Sequence, residues 1–335
     1  MQELTPTDDE SRLIHALQIW PRAPWSQLGP ILAADPVTLA RRWSGLTDRG
    51  LAWVTAQPPL GVTARGAVIE VECAAGSIDS VSEALALDAE CVSIDVGSGG
   101  RDLILTAAFT TPEMLTRYVI SRVGGLAGVR TVRAHPVVKV VAAAAEWRLR
   151  ALDATEVGLV EAARERDDGR RGAPASGSVA DREVVSVLSR DGRATTRDIA
   201  DALGIPVRRA RERLSATLAA GGFDLRTDMP RWASGYPVCA WYFARVPAVQ
   251  LASVGAILGN LPAVRTVLTV AGPANMLMSV WLRDLADIEG LEAVIEQKLP
   301  AVSIVDRCLV LGVRKRMGRV FDEQELPAGI VPWRA

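Results

Sequence analysis

Apolar and polar positions alternate along this chain in two rhythms, and the order of those rhythms is written twice. A helical rhythm comes first. Leu13, Ile14 and Leu17 fall on one stripe, and Leu28 and Leu32 mark a second, shorter helix. Asp35-Pro36 predicts the start of a third helix, an N-cap followed by proline at the first helical position, and Gly50 predicts its end. The same plan returns later as a helix over 180–190, a DGR turn at 191–193, a helix over 195–202 and a helix over 206–220 closed by Gly221-Gly222. After each helical block the rhythm becomes mixed. Strands are predicted over 66–73, 91–97, 102–109 and 129–141, with helices over 77–89 and 112–123. In the second half the strands are 237–246, 264–271, 275–282 and 302–313, with helices over 248–260 and 285–298. Strand, helix, strand, strand, helix, strand is the order of a ferredoxin-like sandwich with one helical face.

The two halves match residue by residue. Adding 171 carries Leu13, Ile14 and Leu17 onto Val184, Val185 and Leu188, and Leu28 and Leu32 onto Ile199 and Leu203. The same offset carries Arg42, Trp43 and Gly50 onto Arg213, Leu214 and Gly221. An offset of 173 then carries Ile78, Val81 and Leu85 onto Leu251, Val254 and Leu258, and Gly99 onto Gly272. So small an adjustment points to duplication. The predicted fold class is α+β: two tandem copies of a winged helix-turn-helix domain followed by a ferredoxin-like βαββαβ domain. The boundaries read as 1–60 and 61–145 for the first copy, 146–178 for a helix and linker, 179–232 and 233–320 for the second copy, and 321–335 for a tail. The linker is the Gly-, Pro- and charge-rich DDGRRGAPASG (167–177), preceded by a helix over 153–165.

Composition narrows the classes. The 335 residues suit two or more domains, and 49% hydrophobic content suits globular cores. The polar, acidic start MQELTPTDDE is unlike a cleaved signal peptide. The apolar run VVKVVAAAA (137–145) is shorter than the roughly 18 residues of a membrane span and contains Lys139, so a cytoplasmic, non-membrane protein is expected. Cys73, Cys91, Cys239 and Cys308 lie far apart without a C-x-x-C pair, and the chain has two histidines, so no metal site is expected. The cysteines read as small reduced core residues.

Charge changes the picture locally. The chain balances 38 basic residues against 39 acidic ones, yet Arg208, Arg209, Arg211 and Arg213 crowd into one short stretch. In a helix-turn-helix the third helix packs one face on its partners and presents the other to the DNA major groove. Val207, Ala210, Leu214 and Leu218 make the inner stripe here; Arg208, Arg209 and Arg211 point away from it and Arg213 flanks it. The planar arginine fork grips a guanine edge or a phosphate with two bonds. The plain alternative is a solvated, salt-bridged face, given Glu212, Asp198 and Asp201 nearby.

These residues resemble the Lrp/AsnC family of transcription regulators, and the resemblance spans nearly the whole chain, twice. LTPTDDESRLIHAL (4–17) is similar to the family's opening helix, and DPVTLARRWSGLTDRG (35–50) to its recognition helix, with Thr38, Arg41, Arg42, Trp43, Leu46 and Gly50 at matching positions. The mixed domain resembles the family's effector-binding RAM module, whose Gly-x-x-Asp turn appears as Gly99 to Asp102 and, in the second half, as Gly272 to Asn275. The resemblance implies DNA contacts from Thr38, Arg41, Arg42, Arg208, Arg209, Arg211 and Arg213, and effector contacts from Gly99, Asp102, Gly272 and Asn275. It also implies double-stranded DNA and a small effector such as an amino acid as partners, a homo-oligomer, and a place on the bacterial nucleoid. Both Gly-rich turns also read as plain hairpin turns. Departures are Gly29-Pro30 inside the second helix, and Arg209 and Glu212 in the later copy where the earlier has Thr38 and Arg41. No catalytic residues and no cofactor are expected, so the chain reads as a non-enzyme. His15 reads as a surface or boundary helix residue and His135 as structural. Two alternatives stand beside this reading: siroheme decarboxylases, which resemble the same two-domain fold and under which His135 is a conceivable axial contact, and a ligand-sensing module without DNA binding.

Overall fold

The computed structural model describes residues 5–57, 65–171 and 179–333. The first half opens with α1 (Asp8–Ile19), α2 (Trp25–Leu32), α3 (Pro36–Asp48) and β1 (Trp53–Gln57). Next come β2 (Arg65–Cys73), α4 (Ile78–Ala86), β3 (Cys91–Gly97), β4 (Leu103–Phe109), α5 (Pro112–Arg117) and β5 (Val129–Ala142); α5 continues into a π-helical turn, Tyr118–Val123. The second half holds α6 (Ala154–Arg171), α7 (Arg182–Arg190), α8 (Thr196–Leu203), α9 (Val207–Ala220) and β6 (Asp224–Asp228). It closes with β7 (Val238–Arg245), α10 (Leu251–Gly259), β8 (Val264–Val270), β9 (Met276–Leu282), α11 (Asp287–Lys298) and β10 (Ser303–Arg316), then the short β11 (Arg319–Phe321) and β12 (Pro327–Ile330).

Contacts sort these elements into two units that do not follow chain order. One unit gathers both helical blocks, Met1–Pro58 and Arg148–Ser234, with Pro332–Ala335; the other gathers Pro59–Trp147 and Gly235–Val331.

Helix ends in the first unit lie where capping chemistry puts them. Thr7 and Glu10 form a capping box on α1, and Thr195 with Asp198 forms one on α8. Asp35 accepts from the N–H groups of Val37 and Thr38, and Gly50 (φ +68°) carries the chain out of α3. Pro30 is tolerated inside α2, which ends at Leu32 with Ala33 left-handed. The expected linker is shorter than the sequence suggests. α6 runs on to Arg171, and the rest of that stretch, 172–177, falls outside the described residues.

The two helical blocks share their β-strands. β1 and β6 pair antiparallel from Trp53↔Asp228 to Gln57↔Asp224. The exchange reaches the cores: Ala56 of β1 packs in the cluster of α7–α9, while Met229, just beyond β6, packs in the cluster of α1–α3 with Val160 and Ala163 of α6.

In the second unit the expected separate sandwiches are joined. Each half has the ferredoxin-like strand order, β3-β4-β2-β5 and β8-β9-β7-β10. β5, however, pairs with β2 through Val129–Pro136 and with β8 through Val137–Ala142. β10 likewise pairs with β7 from Ser303 to Leu309 and with β3 from Val310 to Arg316. The two sheets therefore close into one ring of eight strands. The physical reason is length: β5 and β10 have 14 residues each, more than twice the usual five or six, and each serves two sheets without leaving a free edge. Ile69, Leu105 and Ala107 pack under the helices of one half, and Tyr242, Met278 and Val280 under those of the other. The alternate positions face the ring interior, where Val68, Ile104, Trp241, Phe243, Leu277 and Trp281 are buried.

Candidate DNA interface and buried polar relay

α9 forms on a buried stripe of Ala210, Leu214 and Thr217, with Leu218 partly covered. Val207, expected on that stripe, is 45% exposed, and Thr217 takes the buried place one turn before the helix end. Arg208, Arg209 and Arg211 are exposed. Arg208 meets Glu212 one turn on at 3.1 Å, with its side chain 92% exposed, so that pair contributes little. Arg213 is engaged differently. Its guanidinium donates to Asp181 at 2.6 and 2.8 Å and to Glu183 at 2.5 Å. Asp181 is also the N-cap of α7, and the Arg213 hydrogen bond is the first of the causes that hold its carboxyl below the usual range.

In the earlier block the equivalent Arg42 donates to Asp9 of α1 at 2.6 Å. Both arginines, 171 residues apart, thus tie the third helix to the first turn of the first. Arg41 is exposed, and the Thr38 hydroxyl donates to Asp35 at 2.5 Å inside the N-cap. The exposed arginines of the two third helices are therefore Arg41 on α3 and Arg208, Arg209 and Arg211 on α9.

The two Gly-rich turns have matching internal bonds. Asp102 accepts from the Cys73 N–H at 2.6 Å. Asn275 accepts from the Val246 N–H at 2.9 Å and donates to the Val246 carbonyl at 2.8 Å. Cys73 and Val246 are themselves 173 apart, so the carboxylate and the amide brace the same backbone position. Gly99 sits at φ +75°, which glycine adopts without strain. Gly272 and Asn275 border a cleft of about 490 Å³ with Arg245, Val246, Pro273 and Ser303.

A polar chain that sequence reading missed lies inside the ring. Arg101 donates to Glu70 at 2.6 Å and to Asp306 at 2.6 Å, and its guanidinium stacks 4.1 Å from the Phe243 ring centre. The other Glu70 oxygen meets His135 Nε2 at 2.5 Å. Glu70 is 4% exposed and His135 5%. Burial pushes the Glu70 carboxyl up, but the His135 hydrogen bond and the Arg101 charge outweigh it and leave the net value below the ordinary range. The remaining imidazole nitrogen, Nδ1, is buried against Gly272, where a Cβ would stand 2.6 Å away. At the positions 173 residues further on, Phe243 stands where Glu70 would and Cys308 where His135 would, so the Glu70–His135 pair has no counterpart there.

His15 corrects the expectation of a surface or boundary position. It is 3% exposed, and its Nδ1 accepts from the Leu152 N–H at 2.9 Å. Burial, then the Arg148 charge, pushes its pKa down to about 4, so it is neutral at physiological pH. The four cysteines are buried free thiols, and no group of metal-binding side chains occurs among the described residues. No helix among them is long and apolar enough to cross a membrane.

Comparison with known proteins fits parts of this picture. Residues 179–216, which hold α7, α8 and most of α9, match the winged helix-turn-helix DNA-binding family model. The chain is similar to the crystal structure of the siroheme decarboxylase NirDL, with TM-score 0.56, 14% identity, and 92% of this chain and 93% of that one covered. A second NirDL structure, in complex with an iron-uroporphyrin III analogue, matches with TM-score 0.54 and 13% identity over 88% of both chains. AsnC of E. coli matches 40% of this chain and 93% of its own at 14% identity, with a TM-score of 0.34 that is too low to weigh. No curated protein matches. At these identities the likeness is one of fold. The expectation of a non-enzyme is nonetheless overturned, because two structures that match most of the chain, over 92% and 88% of it, are those of an enzyme.

Proposed function

We propose that the chain is a sequence-specific transcriptional regulator of the Lrp/AsnC type, a duplicated unit that reads DNA chiefly with α9. The observation that carries this reading is the outward face of α9. Arg208, Arg209 and Arg211 stand exposed above a buried stripe, inside the segment that matches a DNA-binding family model. Arg41 and Thr38 give α3 a poorer set of groups, so the two helices suit unlike half-sites. The pairing of β1 with β6 within one chain supports a built-in pseudo-dimer. The cleft at Gly272 and Asn275 is of a size to take an amino acid, with Gly99 and Asp102 forming the corresponding turn in the first half. Incubating the full chain with labelled genomic duplexes and excess competitor tests the reading. A saturable complex with a subset of fragments is expected, and failure to retain any fragment overturns it.

A reaction on an iron tetrapyrrole is the second reading, favoured by the fold match over 92% of the chain and by the enclosed His135–Glu70 pair. His135 Nε2 faces Glu70 and Nδ1 lies against Gly272, so iron ligation does not fit these residues as they stand. A role for Glu70 in orienting the His135 ring fits better. Titration with iron uroporphyrin separates the readings. A saturable Soret shift that weakens in His135→Ala supports the second, and a spectrum equal to the sum of its parts removes it.

A further inference from the structure

Between α1 and α2 stands Arg22, and between α7 and α8 stands Arg193, the last residue of the DGR turn; they are 171 apart. Each reaches into the other's turn. Arg22 donates to the carbonyls of Gly192 at 2.5 Å and Ala194 at 3.0 Å. Arg193 donates to the carbonyls of Pro21 at 2.7 Å and Ala23 at 3.0 Å. The acceptors are again 171 apart, the two residues flanking the opposite arginine in each case. A contact in which i grips j while the equivalent of j grips the equivalent of i is what a two-fold axis produces between two identical subunits. Here it occurs within one chain. Arg193 also lies 3.9 Å from the ring centre of Trp25, and the position equivalent to Trp25 in the later copy is Thr196.

The arrangement brings two like charges together on carbonyl acceptors. Burial, then the neighbouring Arg22, pushes Arg193 down to about 10, which marks an electrostatic cost. The fork geometry explains why arginine stands at both places, since one planar guanidinium spans two carbonyls that a point-charge ammonium does not. Beside the clamp, the Gly192 N–H donates to the Val54 carbonyl of β1 at 2.7 Å, and a Cβ on Gly192 would stand 2.5 Å from a Val54 methyl. The turn of the later copy is thus seated on the strand that joins the copies.

We propose that Arg22 and Arg193 are positioning residues that fix the separation and two-fold relation of α3 and α9, so that one chain recognises two half-sites at a set spacing. The spacing part rests on the DNA-reading proposal; the fixed geometry does not. Two measurements on the full chain keep them apart. Spin labels at Ser44→Cys and Ser215→Cys, exposed and equivalent positions on α3 and α9, report the helix separation without DNA. One narrow distance is expected in the otherwise native chain, and a broad distribution in Arg22→Ala/Arg193→Ala. The Arg22→Lys/Arg193→Lys chain, which keeps the charge and loses the fork, should also broaden, and it serves if the alanine pair does not fold. On selected duplexes, a 2-bp insertion between half-sites should weaken the native chain about tenfold and the double variants about twofold or less, because a loosened pair follows the groove. An unchanged narrow distance in both variants overturns the clamp. Broadening with no binding to any duplex upholds the clamp and removes the DNA reading. Broadening with an unchanged spacing penalty leaves the clamp without its proposed role and overturns that part.

Discussion

The Arg208→Ala/Arg211→Ala chain is expected, on the proposal that α9 reads DNA, to bind a selected duplex weakly while folding like the native chain. A well-made bidentate arginine contact to a base carries about 1–3 kcal/mol of discrimination, so losing two should cost about 2–6 kcal/mol, or roughly thirtyfold and upward. Both side chains are exposed, and surface substitutions of this kind usually alter stability by less than about 0.5 kcal/mol. Affinity should therefore fall with no matching fall in melting temperature. Arg213 would be a poor substitute in this experiment, because its bonds to Asp181 and Glu183 hold α9 to α7 and its loss confounds folding with binding. Gel retardation beside calorimetry decides the matter. A double variant that retains native affinity would mean that α9 is not the reading helix.

Glu70→Ala is expected to have the largest effect on stability. The substitution removes the shared acceptor of Arg101 and His135 inside the ring, leaving Arg101 with Asp306 and the imidazole without its carboxylate. Breaking a buried pair from one side typically costs about 3–5 kcal/mol, more than the pair itself is worth, because a desolvated charge stays behind. For a unit of this size each kcal/mol lowers the melting temperature by about 2–4 °C, so a fall on the order of 10 °C is expected in the transition of the strand-rich unit. Calorimetry of the full chain measures it. A shift under about 2 °C would show that water or rearrangement satisfies the site.

Helix ends were legible in the sequence because their chemistry is local. Asp35-Pro36, Gly50 and Gly221 act on neighbouring backbone groups: α3 starts at the first and ends just before the second, and α9 ends at the third. Partnerships between the halves were not legible. Nothing near Trp53–Gln57 announces that its partner lies at Asp224–Asp228. One signal was present and unused: runs as long as 129–141 and 302–313 exceed a single ferredoxin-like strand, and that excess is what closes the ring. Closure also explains the missed relay. In an open sheet with helices on one face, Glu70 falls on the wet face and reads as solvated; in a closed ring that same face is the interior. His15 was misjudged for a related reason, since the stripe Leu13, Ile14 and Leu17 reveals the packing within the block but not the segment at Leu152 that covers the next face. Of the candidate DNA contacts, the sequence could not separate the exposed Arg208, Arg209 and Arg211 from Arg42 and Arg213, whose acidic partners lie some 30 residues away in each case.

The central claim is that a short basic helix on a nearly neutral protein meets the phosphates and base edges of a duplex. Its most direct test is the affinity of the full chain for a duplex selected from a random pool, followed as salt rises from about 50 to 200 mM. Displaced counterions should make the logarithm of affinity fall linearly with the logarithm of salt, by tenfold or more across that range for several phosphate contacts. An affinity that stays level across the range, or a pool from which no sequence is enriched, would contradict the claim.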